Sequence, residues 1–599
     1  MNTPTKAGSV AGGQSQIPAP GRFGRVVGLA LAALVSGTTP AWHCASHAQT
    51  LDLLQGFEGV YSGWIPADPI IAAGPNSLVT MVSGRIAIFS KLGSKVFEQN
   101  LGAGGFWAAQ GGDQVAEPWV ILDPNSGRFI ASAAEFGSGK GRFYLAISKT
   151  DNPRNSSDWY KYSLDRSGTH QGAGFAGVPT YPDSAKVGVD GDAIYVTAGH
   201  FAKDQSITAS FSHAEIFAID KAPLLSGGSL RVVDLEPVIT DSYSEAAPFS
   251  IHPAVVHDSG SAMYFVQSLT RRADDKIVVR TWDDVLSGSP ATTVAVVGVD
   301  PFHRPPNVPQ LGSSTLLENI DARLMSAVVR NGSLWTSHAI LDPAVDGESV
   351  VRWYEFDLAS QPGTVLLAQS GNVDPGPGVH TWLPSINVDV DGNMGLCFSV
   401  GGAGQYAAIG YTGRLASDPL NTTILPVRIA RAGNGAYTQG GWGEYSGLAM
   451  DPDGYTFWLF HQYPEKVKRT GTWRTYVGAF EVVPPAPLAD PLHCGDLDGI
   501  GANTGKNWRA TVVATLHDGN ESPVQGATVS IQWSTGVPDS GVTDASGRTT
   551  FTLSSISKQV SSVTLTINGM TYPGLNYSLP DNHDPDGDSN GTSITVSKP

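Results

Sequence analysis

The sequence predicts an all-β protein: a seven-bladed β-propeller followed by an immunoglobulin-like β-sandwich. Three observations carry this. A strand–turn–strand unit recurs seven times, glycine (70) and proline (40) are plentiful while charged residues make up only 15% of 599, and the pattern changes after a proline-rich stretch near 483–487. Short strands and many turns need that composition; long amphipathic helices do not. A chain of this length also exceeds what one hydrophobic core usually serves.

The clearest unit is Trp382–Ser399. Leu383, Ser385, Asn387 and Asp389 alternate with Ile386, Val388 and Val390, the period-two pattern of a half-buried strand. Asp391-Gly392-Asn393 then supplies residues that tolerate positive φ, and Met394–Ser399 reads as a second, apolar strand. Equivalent turns are marked by Gly74, Asp123, Asp190, Asp258, Arg330 and Asp451, at intervals of about 50 to 70 residues. After most pairs two further strands follow, for example Arg85–Ser90 and Lys95–Asn100, or Arg142–Ser148 and Trp159–Leu164. Four strands per unit and seven units predict a propeller, which closes on itself and so protects its sheet edges. The last unit, ending at Arg474–Val482, is one strand short, and Gly59–Ile65 is expected to complete it.

Taken in order, residues 1–48 read as a secretory signal. Arg22 and Arg25 precede the apolar run Val26–Val35, and Ser46-His47-Ala48 offers a small-residue cleavage site. The propeller is expected over 49–482, a semi-rigid linker over 483–493, and the sandwich over 494–599. Within the sandwich, Trp508–His517, Ala527–Trp533, Arg548–Leu553, Val563–Ile567 and Ile594–Val596 alternate as antiparallel strands. No later membrane span is expected, and the protein is read as secreted or held at the cell surface. Cys397 and Cys494 fall in different domains, so no disulfide is expected between them.

A formal charge of −17 disfavours a nucleic-acid partner, which needs a basic face. The sequence has no G-x-S-x-G elbow, no H-E-x-x-H helix, no C-x-x-C pair and no phosphate-cradling glycine loop. The chemistry-bearing positions emerge by counting back six or seven residues from each turn, to where the inner strand of each blade enters the channel. These are Asp68, Glu117, Asp183, His252, Arg323, Leu383 (with His380 upstream) and Glu444/Tyr445. Close carboxylates raise one another's pKa and can set an acid beside a base. Asp68, Glu117, Asp183, His252, His380 and Glu444 are therefore the candidate catalytic set. Arg323 and Arg414 could hold a substrate carboxylate, and Trp382, Trp442 and Tyr445 could stack on sugar rings. The alternatives are a metal held by Asp68, Asp183 and His252, or a ring that only satisfies strand ends and water. Trp64, Trp107, Trp119 and Tyr181 also lie near blade entries. In the tail, Asp584, Asp586, Asp588 and Asn590 place oxygen ligands two residues apart around Gly587, with Asp496 and Asp498 able to complete a Ca2+ shell.

The stretches WLPSINVDVDGNMG, AAIGYTGRLASDP, WGEYSGLAMDPDGYTFW and NGSLWTSH resemble a family of secreted bacterial β-propeller proteins, over roughly residues 60–482. The tail, from His493-Cys494-Gly495-Asp496 to Asn590-Gly591-Thr592, is similar to immunoglobulin-like domains appended to bacterial exported proteins, which implies a spacer or binding module. The family resemblance implies a fold and no particular reaction. Three functions stay open: binding an extracellular polysaccharide or glycan at the channel mouth, cleaving one as a hydrolase or lyase, or docking a cell-surface protein.

Overall fold

The computed structural model describes residues 51–135, 141–169, 177–202, 211–238, 250–260, 262–268, 274–288, 290–358, 364–467, 470–483, 490–573 and 575–599. The segment 1–48, expected to be a secretory signal, and most of the expected linker lie outside these. Among the described residues the regular secondary structure is almost all strand, the one α-helix being Lys221–Leu224, and no helix is long and apolar enough to cross a membrane.

Among the described residues of 51–483, four-stranded antiparallel meanders recur seven times, five as separate sheets and two joined through Val255–Val256 in one ten-stranded sheet, beside a two-stranded pair, Val308–Gln310 and Ser313–Leu317. The meanders' first strands are Ile70–Ala73, Val115–Leu122, Pro179–Val189, His252–Pro253, Ser326–Arg330, His380–Val388 and Gly447–Met450. Each touches the first strand of the next sheet, and the last touches Ile70–Ala73, so the seven close into a ring. Val255–Val256 continues the fourth first strand and bridges in parallel to Val189 and to Val328–Val329. The strands facing the axis are apolar because their neighbours bury both faces: Ile70–Ala73 and Ser77–Val82 are buried throughout.

The ring is closed by Gln55–Glu58, which pairs antiparallel with Thr470–Phe480 and sets Gln55 opposite Ala479. The closing strand therefore precedes the expected segment Gly59–Ile65. Gly63 in that segment has φ +85°, which breaks an extended run. The segment instead forms part of the connection leading to Asp68.

The recurrent turn aspartates are structural. Asp190 is fully buried; its Oδ1 accepts from the Asp192 and Ala193 amides, and its Oδ2 from the Tyr195 hydroxyl at 2.7 Å. Asp389 accepts from the Asp391 and Asn393 amides and the Asn393 side chain. Asp123 and Asp451 accept from their own turns in the same way. A buried carboxylate that accepts turn amides satisfies donors that the chain reversal would leave orphaned.

Residues 490–599 form a two-sheet sandwich. One sheet orders Arg548–Ser557, Asn507–His517, Asp490–Thr504 and Leu575–Tyr577; the other orders Pro538–Val542, Thr528–Trp533, Ser562–Thr571 and Ser593–Ser597. Alternate side chains, among them Trp508, Val512, Leu516, Ile531, Trp533, Phe551 and Leu565, fill the core between the sheets. The first strand begins at Asp490, inside the stretch read from sequence as linker. Cys397 and Cys494 are both buried free thiols.

Candidate functional site at the mouth of the ring

The first strands enter the ring in a strained and repeated way. Asp68 (φ +53°), Glu117 (+48°), Ser184 (+53°), Ser250 (+60°) and Leu383 (+51°) all lie in the left-handed region two residues before Ile70, Trp119, Lys186, His252 and Ser385. In three sheets the pairing register slips at this point, between Ala116 and Trp119, Asp183 and Lys186, and Trp382 and Ser385. A bulge with a non-glycine residue at positive φ costs roughly 1–3 kcal/mol and re-aims a side chain. Here the repetition gathers the entry residues of several sheets.

Four carboxyls meet there. Asp68 is fully buried, accepting from Ser83 Oγ at 2.7 Å and from the Glu444 amide at 3.1 Å. The Glu117 amide donates to the same Ser83 hydroxyl at 3.2 Å. The Glu117 carboxyl accepts from the Ser184 amide and lies close enough to Asp183 for their charges to interact. Burial, reinforced by the charge of Glu444, pushes Asp68 up to about 8. Burial and then Asp183 hold Glu117 well above the ordinary glutamate range, and burial raises Glu444 despite the nearby Arg323. Glu117, Asp183 and Glu444 are partly exposed, so the cluster faces solvent.

Two cations share the site. Arg323 is clamped by Asp321, with Nε at 2.8 Å from Oδ1 and an Nη at 2.9 Å from Oδ2. Lys186 donates to the Ser184 carbonyl and hydroxyl, both at 3.2 Å, and burial together with Arg323 lowers it to about 8. The cavity among Trp119, Ser184, Lys186, Arg323, Glu444 and Tyr445 measures about 10 Å³, room for a water at most.

Behind the cluster stands a partition. Trp119 lies 5.1 Å from the Tyr445 ring and 5.3 Å from His252, and the Tyr445 hydroxyl donates to the Pro118 carbonyl. Beyond Trp119 the channel widens to a cavity of about 570 Å³ lined by Val120, Val187, Val255, Val328, Ile386 and Leu448. Polar side chains also line this space, among them Arg128, His257, Arg330, Asn387 and Asp451.

The structure brings Asp68, Glu117, Asp183, Glu444, Arg323 and Tyr445 together and separates the other expected site residues. His252 sits in the channel wall beside Trp119, with its Nδ1 against the Pro253 carbonyl at 2.9 Å, and burial lowers it to about 3, which favours the neutral imidazole. His380 is buried, with its Nδ1 accepting from the Ser349 amide, which ties it to the edge between the fifth and sixth sheets. Arg414 spends its guanidinium on the carbonyls of Thr422, Asp418 and Pro419 and lies over Trp353. Trp382 and Trp442 are core residues at 0% and 1% exposure, so neither has a free face. Trp107 is likewise buried. By contrast Trp64, on the connection that carries Asp68, is 40% exposed. Its indole rests on Gly84, where an added Cβ would come within about 3.0 Å, and Gly84 follows the Ser83 that holds Asp68.

Lys186 and Ser83 were not anticipated. Lys186 occupies the same strand position as His252, two residues past the strained entry, so aligning the entries by register would have found it. Ser83 lies on the second strand's turn, and only the folded ring brings it to Asp68.

In the sandwich, carboxylate oxygens of Asp496, Asp584 and Asp586 lie within 4.8 Å of one another, as do those of Asp498, Asp586 and Asp588. Calcium binds oxygens at 2.3–2.6 Å, so two ligands of one ion can be up to about 5 Å apart, and this donor set fits. Asn590 is turned away, its side-chain oxygen accepting from the Thr592 and Ser593 amides.

No protein-family model matches the sequence, and no curated protein sequence matches it. Among solved structures, the chain is similar to Trypanosoma rangeli sialidase in complex with the inhibitor DANA, at a TM-score of 0.33 and 8% identity, over 80% of this chain and 77% of that one. It is similar to exo-β-1,3-galactanase from Phanerochaete chrysosporium with galactose, at 0.29 and 10%, over 85% and 94%. It is also similar to a protein of unknown function from Dyadobacter fermentans, at 0.31 and 10%, over 72% and 99%. At these scores the likenesses carry no inference about chemistry.

Proposed function

We propose that this is an exported seven-bladed β-propeller with an immunoglobulin-like tail, and that the acidic mouth of the ring binds an extracellular glycan. The observation that carries this reading is the cluster of Glu117, Asp183 and Glu444, partly exposed beside the cations Lys186 and Arg323. Burial raises Glu117 and Glu444, which favours their protonated, donating form beside acceptor oxygens, as a polyhydroxylated ring requires. Trp64 supplies an apolar face on the adjoining connection.

Binding is favoured over cleavage on geometric grounds. A retaining glycosidase separates its two carboxyls by about 5–5.5 Å and an inverting one by more. Here the space beside Glu444 admits only a water, too little for a sugar ring between the carboxyls. The sugar would therefore lie on the mouth rather than in a pocket.

The test is a glycan array with the full chain, each hit then incubated with protein and examined for products by mass spectrometry. Binding without products is the expected outcome. Products would replace the binding reading with a hydrolase or lyase, and no hits at all would overturn both.

The acidic pole of the sandwich is proposed as a calcium site formed by Asp496, Asp498, Asp584, Asp586 and Asp588. Asp496 and Asp588 are raised by burial and by neighbouring aspartates, the repulsion that a dication would relieve.

A further inference from the structure

The sandwich also gathers three imidazoles and a carboxylate that the sequence pattern did not suggest. His493 and His517 are direct partners across the first two strands. A register slip between Cys494 and Asp496 places Gly495 beneath the His517 ring, where an added Cβ would lie 2.2 Å from Nδ1. Glu521 comes from the turn after His517, and His583 from the far end of the domain. One ligand atom from each of the four lies within 4.8 Å of the other three.

The distances suit one ion. From Glu521 oxygens, His517 Nδ1 is 3.0 Å away, His493 Nε2 3.4 Å and His583 Nε2 3.5 Å. With zinc bonds of about 2.0–2.1 Å, the edge of a tetrahedral site is about 3.3 Å. The ring nitrogens are also prepared for it. His583 places Nδ1 3.1 Å from the Asp581 carbonyl, which takes the proton there and leaves the Nε2 lone pair facing Glu521, the outer-shell arrangement usual for a ligating histidine. His493 is 2% exposed; its Nδ1 has no partner and its Nε2 reaches only Glu521, at 3.4 Å. A buried ring nitrogen with no hydrogen-bonding partner is costly unless something absent from the polypeptide completes it.

We infer that His493, His517, Glu521 and His583 form a binding site for a first-row transition-metal dication of the zinc class. Three imidazoles and one carboxylate are borderline ligands that select zinc over calcium, so this site is distinct in chemistry from the all-oxygen aspartate cluster nearby in sequence. Four protein ligands make it a closed, structural site, which would tie the segment around His583 to the first two strands.

The experiment uses the full chain, stripped with chelator and then titrated with zinc in excess calcium, with cobalt as a spectroscopic substitute. One zinc per chain and the intense visible bands of tetrahedral cobalt are expected. His583→Ala and His517→Ala should each weaken zinc binding at least tenfold, while Asp539→Asn, exposed on the strand Pro538–Val542, leaves it unchanged. Because the His583 side chain is 41% exposed, its variant should fold, and an unaltered metal-free melting curve checks this. Absence of zinc binding, or binding undiminished in His583→Ala, would overturn the inference.

Discussion

At the mouth of the ring, four carboxyls share their space with Lys186 and Arg323, and Asp68 and Glu117 are driven toward the protonated form. At the acidic pole of the sandwich, the charges that act on Asp496 and Asp588 are other aspartates. The mouth is walled by Trp119 and Tyr445, whereas Asp498, Asp586 and Asp588 are exposed. Burial lets the ring settle its repulsion internally, with protons and fixed cations. The sandwich leaves the same problem to solvent or to a bound ion. The first arrangement suits recognition of a neutral or polar ligand, and the second suits capture of a dication.

The contrast can be broken most severely at Trp119. Trp119→Ala removes the partition between the mouth and the channel and should destabilise the ring by about 3–5 kcal/mol. The sandwich should melt as in the wild type, as read by differential scanning calorimetry. Chelation tests the other side: saturating calcium should stabilise the sandwich by about 2.7 kcal/mol at a hundredfold excess over Kd, with no shift in the ring. An unchanged sandwich transition after chelation would count against the calcium proposal.

Ligand binding discriminates next. Trp64→Ala should weaken glycan affinity about tenfold, or 1.4 kcal/mol, with little change in melting temperature, because its indole is exposed and only its carbonyl accepts a hydrogen bond, from Trp473. Trp382→Phe, in the core, should do the reverse. The last prediction concerns the direction of a pH dependence. Asp68 has a folded pKa near 8 against 3.8 unfolded, so the folded state holds the extra proton between those values. Its contribution to stability therefore falls as pH rises from about 4 to 8. Asp68→Asn should flatten that slope, read as unfolding free energy against pH; a slope unchanged in the variant would show that another group carries it.

Much of the ring was legible because its signals are local. The period-two alternation and the aspartate–glycine turns located the sheets' first two strands, and counting back from the turns reached Asp68, Glu117, Asp183 and Glu444. The closing strand was misplaced because Gln55–Glu58 is too short to show a period. Trp382, Trp442 and Arg414 were misread because sequence does not tell a tryptophan or arginine used in packing from one held at a surface. The histidine cluster escaped because its members are 24 and 66 residues apart in sequence and are joined only by strand pairing.

The central claim is that the acidic mouth is the glycan site. The most direct measurement is isothermal titration of the best array hit into the full chain and into Glu117→Gln. Retained fold with affinity reduced tenfold or more in the variant is the predicted result. Equal affinity for both proteins would place the glycan elsewhere and contradict the account.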